Sequence, residues 1–277
     1  MDVYWLEQSE ADVPKEDDWL SAKEQLRLER MRIPKRRSEW RLGRWTAKCA
    51  LATYLNMESH REDLAGIEVR SAPCGAPEVF LANEPAAITI SLSHRAGLAV
   101  CAVTNSGAAL GCDVELIESR SMAFVSDYFT AEEQALVAWA SATERWWILA
   151  LLWSAKESAL KALRAGLTLD TRRVIVGGFD AVRRHIEDAA RRIGAAAIHF
   201  KQSEVIHSWR PLQVRYTEGE VFHGWWQKTD SLVRTVVAAP PPIPPILLTM
   251  RPYGLNRQSL GEVSPITEGT EASRIAS

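Results

Sequence analysis

The chain has 277 residues, 47% of them hydrophobic and 25% charged, with a formal net charge of -2. That composition predicts a soluble globular protein, long enough for one large domain or two modest ones. The near-neutral balance argues against a generic nucleic-acid binder, and no apolar run approaches the ~20 residues that a bilayer span needs.

Val3 to Leu6 reads as a short strand, inside an acidic start (MDVYWLEQSEADVPKEDDW) that lacks the basic-then-apolar order of a signal peptide. The expected location is the cytoplasm. Helical, strongly basic sequence follows from Ser21, and Pro34 suits the first turn of its second helix. Ile67 to Arg70 and Val79 to Leu81 look like short strands around the turn-rich APCGAPE. ITISLS and AGLAVCAV then form a β pair, and GAALGCDVEL follows a Thr-Asn-Ser-Gly turn. In TAEEQALVAWA, Thr130 and Glu133 make a capping box. The helix WSAKESALKAL (153–163) comes next and breaks near Gly166. From Arg173 to about Ala239 the sequence is mostly β, interrupted by AVRRHIEDAARRIG, which has helical character. Polar turn, β-run and turn recur in SHRAGLAVCAVTN and KTDSLVRTVVAAP, which hints at a duplicated α+β unit. After Ala239 the PPPIPP run and the residues behind it predict an extended or disordered tail over 241–277, dispensable for activity.

The helix 153–163 carries an anomaly. At about 100° per residue, Trp153, Leu160 and Leu163 define a stripe, and Lys156, Glu157 and Lys161 lie in or beside it. Opposite them stand Ser154, Ala155, Ser158, Ala159 and Ala162, all small. An amphipathic surface helix keeps charge away from its apolar stripe, so something is expected to consume these charges. A plain Glu157–Lys161 surface pair would explain the spacing but not the apolar neighbours.

Asp113 and Glu115 in GCDVE point to one face of a strand, where they repel unless a cation stands between them. Oxygen donors of this kind suit Mg²⁺, with Glu157 as a third carboxylate and Lys161 meeting phosphate oxygens. The same pair would also be unremarkable on a solvated strand edge. Ser93 and His94 end the ITISLS run, where they fit either an anion contact or an ordinary turn. Arg30, Arg37, Arg41 and Arg44 recur at helical spacing among Trp40 and Trp45, as a phosphate-binding or merely solvated basic face. GxSxG, Walker and dinucleotide fingerprints are absent, and the four cysteines show no metal spacing and read as reduced thiols.

Together and in this order, SLSHRAGLAVCAV (91–103), GCDVE (111–115) and WSAKESALKAL (153–163) resemble the 4'-phosphopantetheinyl transferases of the surfactin-synthetase type. RRSEWRLGRWTAK (36–48) is a weaker fourth match. The resemblance implies an α+β fold of two similar halves in a pseudo-twofold arrangement, divided here as 1–115 and 116–240, and a monomer. It implies transfer of the phosphopantetheine arm of coenzyme A to a serine of an apo acyl or peptidyl carrier protein, with Mg²⁺ as cofactor and adenosine 3',5'-bisphosphate as product. By position, Asp113, Glu115 and Glu157 would hold the metal, and Glu157 and Lys161 would be catalytic. Arg41, Arg44, Ser93, His94, Lys156 and Lys161 would bind coenzyme A. Where many relatives carry Gly-Lys-Pro, whose lysine helps bind the 3'-phosphate, this chain has Gly75-Ala76-Pro77; either Arg70 or Arg95 replaces that cation, or discrimination for the 3'-phosphate is weaker. Phe124, Tyr128 and Phe129 are the expected carrier-docking aromatics. The competing expectation is a non-enzymatic nucleic-acid-binding module built on the basic helix 27–48.

Overall fold

The computed structural model describes residues 1–57, 61–142, 144–177 and 208–250. The sequence readings over 178–207 and 251–277, including AVRRHIEDAARRIG, lie outside the described residues.

The chain opens with strand β1 (Tyr4–Ser9) and helices α1 (Ala22–Glu29) and α2 (Pro34–Tyr54). Ser21 caps α1 in a capping box with Glu24, and Pro34 starts α2, where its missing N–H costs nothing. β2 (Ile67–Ser71), β3 (Pro77–Leu81) and β4 (Glu84–Pro85) form a small antiparallel sheet. β5 (Ile88–Arg95) and β6 (Leu98–Asn105) form a hairpin whose two-residue turn, Ala96-Gly97, has both residues at positive φ. β6 also pairs antiparallel with β1.

β7 (Ala109–Leu116) is followed by α3 (Met122–Tyr128), α4 (Ala131–Trp139), α5 (Arg145–Ala162) and β8 (Val174–Gly177). β9 (Arg210–Tyr216), β10 (Val221–Lys228) and β11 (Leu232–Ala239) complete a sheet ordered β7-β11-β10-β9-β8. All eight residues of β7 pair with β11, so its hydrogen bonds group it with the strands that follow rather than with those before residue 115.

The mixed α+β architecture repeats. In the first half, buried Glu24 at the start of α1 pairs with Lys48 of α2 at 2.6 Å and accepts from the Val69 N–H of β2. In the second, buried Glu133 at the start of α4 pairs with Lys156 of α5 at 2.8 Å and accepts from the Val176 N–H of β8. Lys48 further donates to the Leu64 carbonyl, and Lys156 to those of Thr171 and Val174. Even the sequence matches locally: Trp45-Thr-Ala-Lys48 against Trp153-Ser-Ala-Lys156. Each half has its own apolar core, around α2 and around α5, and a third cluster joins Val3, Trp5, Val100 and Ala102 to Cys112, Val114, Val236 and Ala238.

The small face of α5 packs on β7 and β11, as its serines and alanines allow. A Cβ on Gly111 would lie 1.7 Å from the Ser158 carbonyl oxygen, so only glycine fits there. The Ser154 and Ser158 hydroxyls both bond to the Thr235 hydroxyl, which satisfies polar groups at a buried contact.

Over its described part the tail is extended, one of the two expected forms, and it docks on the fold. β12 (Ile246–Leu247) adds in parallel to β1, and the amides of Ile243, Ile246 and Leu248 bond to the carbonyls of Met1, Val3 and Trp5. Leu248 and Met250 pack on the first core. Apolar residues at alternating positions along an unpaired strand edge supply what the proline-rich composition concealed.

Candidate active site

β5 and β7 run side by side, joined where the Ser91 hydroxyl accepts from the Cys112 N–H at 2.9 Å. This contact brings Ser93 beside Asp113, and α5 brings Lys161 to the same point. Asp113 Oδ1 accepts from the Ser93 hydroxyl at 2.7 Å and from Lys161 Nζ at 2.8 Å. Lys161 also donates to the Cys112 carbonyl. Burial works against the Lys161 charge, but attraction to Asp113 outweighs it and holds the ammonium pKa above its ordinary value.

Glu115 lies two residues along β7 on the same face, 3.1 Å from Arg120 and 3.5 Å from Arg95. Burial pushes its carboxyl up to about 7; Asp113 and Glu157 add to the rise, and the two arginines oppose it. The Glu157 carboxyl is also pushed up, by burial first and then by Asp113. The three carboxylates therefore feel one another, as the sequence spacing implied.

Among the described residues no three His, Cys, Asp or Glu side chains stand as a ready-made metal cage. Asp113 is drawn to Lys161, and Glu115 to Arg95 and Arg120. The donor chemistry nonetheless fits a hard divalent cation. Asp113 Oδ2 is buried with no hydrogen-bond partner, and burial together with the neighbouring carboxylates raises the pKa of Glu115 and Glu157, a cost that a bound cation would relieve.

Two cavities meet here. The inner one, of about 450 Å³, is lined by Asp113, Glu115, Glu157, Lys161, Arg120 and Phe124 among others. The outer one, of about 440 Å³, includes Arg44, His94, Lys161 and Arg164, with Glu39 as the single acidic residue among its described lining. Leu92, Ser93, His94 and Lys161 line both. A ligand with a metal-binding anionic centre and a second anionic end would match this division of charge. His94 stands exposed at the junction; desolvation is the leading cause of its lowered pKa, and Lys161 pushes it the same way. Arg44 is nearly buried, lies 3.7 Å from Glu24 and stacks over Trp40; burial pushes its pKa down to about 10.

Asp113, Glu115, Glu157, Lys161, Ser93, His94 and Arg44 thus converge. Four residues expected at the site lie elsewhere. Lys156, expected on a ligand phosphate, is fully buried on Glu133 and two carbonyls, and burial pushes its pKa down. Arg41 lines neither cavity: it is locked to Asp17 and to the carbonyls of Pro14 and Lys15. Phe129, expected on a docking surface, is fully buried and packs against Trp153, while Phe124 lines the carboxylate cavity and Tyr128 is exposed. Arg70 lines neither cavity, being bound to Glu68 and Asn83. The basic stretch is only partly spent inside the fold: Arg37 bonds to Leu28 and Asp17 and Lys48 to Glu24, while Arg27, Arg30, Arg32, Lys35 and Arg36 are exposed. Arg120 and Arg164 were not singled out by the sequence; each needed the fold to bring it to the cleft.

Among curated proteins none matches the chain. A solved structure described as Helicobacter pylori holo-[acyl-carrier-protein] synthase (AcpS) in complex with coenzyme A is 21% identical over 38% of this chain and 99% of that one. Its TM-score of 0.26 is too low to carry an argument. Residues 109–216 match the family model described as the 4'-phosphopantetheinyl transferase superfamily (ACPS). Asp113, Glu115, Glu157 and Lys161 all lie in that segment, so the part of the chain that carries the cleft carboxylates and lysine is the part similar to the 4'-phosphopantetheinyl transferase superfamily.

Proposed function

We propose that this enzyme transfers the 4'-phosphopantetheine arm of coenzyme A to a serine of an apo acyl or peptidyl carrier protein, in the manner of the surfactin-synthetase-type branch. The observation that carries the reading is the junction of a carboxylate-lined cavity with a basic one at Ser93, His94 and Lys161. The pyrophosphate would sit at that junction and the nucleotide end in the outer cavity.

Asp113, Glu115 and Glu157 would hold Mg²⁺, which when bound neutralises charge on the pyrophosphate oxygens. Lys161, fixed by Asp113 and the Cys112 carbonyl, offers its positive charge to the departing bisphosphate. Ser93 and His94 contact the phosphates of the nucleotide end. Glu157, with its raised pKa, is poised to take the proton of the attacking serine at its carboxylate. Phe124 and Tyr128, with the exposed Met122, form the rim on which the carrier would dock. The repeated halves support a single chain as the working unit.

Mass spectrometry of an apo carrier protein incubated with coenzyme A and Mg²⁺ tests this. The carrier should gain one phosphopantetheine arm, and Glu157→Gln should slow that gain by about 10²–10⁴-fold. A wild-type chain that leaves the carrier unchanged, yet binds oligonucleotides with a steep salt slope, would point to the nucleic-acid module instead.

A further inference from the structure

Both long helices end in the same turn. After α2, Asn56 has a left-handed backbone (φ 53°); its N–H bonds to the Thr53 carbonyl at 3.1 Å, and the Met57 N–H to Ala52 at 2.9 Å. After α5, Arg164 takes that place (φ 54°), with its N–H on Lys161 at 3.0 Å and the Ala165 N–H on Leu160 at 3.1 Å. These paired bonds are a Schellman ending, whose left-handed residue is usually Gly and sometimes Asn. Asn56 obeys that preference. Arg164 goes against it, because its Cβ crowds the following carbonyl. Backbone held in an unfavourable region concentrates where a site needs a particular side chain.

The surroundings say what the side chain is for. Arg164 lines the outer cavity with Arg44, His94 and Lys161. Arg44 and Lys161 are partly neutralised by Glu24 and Asp113. Arg164 is exposed and makes no side-chain hydrogen bond or ion pair with any described residue. Ala76, on the same cavity, offers no charge, and Arg95 is committed to Glu115 and Glu118 in the inner cavity. Among the described residues the outer cavity therefore has one uncommitted guanidinium, suited to bidentate contact with a phosphate.

We propose that Arg164 determines donor specificity by binding the 3'-phosphate of coenzyme A, its position fixed by the left-handed ending of α5. This rests on the coenzyme A reading above. Arg164→Gly relieves the backbone, so the variant should fold and melt no lower than wild type. Its KM for coenzyme A should rise by about tenfold, the size of one lost charge-assisted contact, with kcat at saturation intact. The KM for dephospho-coenzyme A should not move. In calorimetry, adenosine 3',5'-bisphosphate should bind the variant more weakly by a similar factor and AMP equally well, with Arg164→Lys recovering part of the loss. An unchanged preference for coenzyme A over dephospho-coenzyme A overturns the proposal, as does an equal loss for both donors. A wild-type chain that uses neither donor and binds neither nucleotide overturns the coenzyme A reading itself, which separates the two failures.

Discussion

Lys156 and Lys161 sit five positions apart on one helix and looked alike in sequence, yet their surroundings give them opposite work. Lys161 is part-exposed at the cleft on Asp113, whereas Lys156 is sealed on Glu133. A charge inside an apolar stripe signals a partner, but it does not tell a ligand from a buried carboxylate contributed by another helix. Glu133 was legible only as a capping box; its second role needs α4 docked on α5 and β8. Lys156→Met should therefore cost about 3–5 kcal/mol in chemical denaturation by leaving Glu133 buried without its cation, with Glu133→Gln added back recovering part of it. The KM for coenzyme A of the surviving folded fraction should not change. Glu115 makes a second prediction at this scale. Its folded pKa of about 7 exceeds the ordinary 4.5 of a glutamate, so the native state binds more protons than the unfolded chain between those values. In metal-free buffer, stability should fall as pH rises from about 4.5 to 7, by at most about 3 kcal/mol. Millimolar Mg²⁺ should flatten that slope in thermal melts. A slope of the opposite sign, or one indifferent to Mg²⁺, would count against the carboxylate cluster as a cation site.

Among the elements, α5 and β7 carry most of the site, and their contact depends on one missing side chain. Gly111→Ala would drive a methyl group into the Ser158 carbonyl, backbone against backbone, where no rotamer change can help. The expected cost is about 1–3 kcal/mol or more. Activity should drop beyond what the loss of folded protein explains, because the same shift separates Lys161 and Glu157 from Asp113. Equal loss of both would mean that the register of the two elements tolerates the displacement. Here the sequence was informative: the small-residue face of the helix, the GCDVE strand and the SxSH strand were all readable as chemistry and spacing. Their meeting point was not, since β5 and β7 belong to different sheets and touch only through tertiary packing. Arg164 escaped notice for a related reason, as nothing in RAGL announces a left-handed arginine facing a cavity.

For the molecule as a whole, the buried Glu–Lys pairs and helix endings repeat, but the first half divides its strands between two sheets where the second has one, and the two strands that open the halves are covered differently. β7 has β11 on one side and lies against β5, while β1 has β6 on one side and the segment after Ala239 on the other. A chain ending at Ala239 should thus melt lower than one ending at Met250, in contrast to the dispensable tail that composition suggested. Equal melting of the two truncations would show that the docking of 243–248 contributes nothing to the fold. What the shorter chain would expose is a row of unpaired amides and carbonyls along β1, flanked by Tyr4, Trp5 and Leu6. Such an edge is a template for another chain, so its first symptom should be concentration-dependent self-association, seen by light scattering before any loss of transfer. The short strand at Ile246–Leu247 works in this sense as a guard against aggregation.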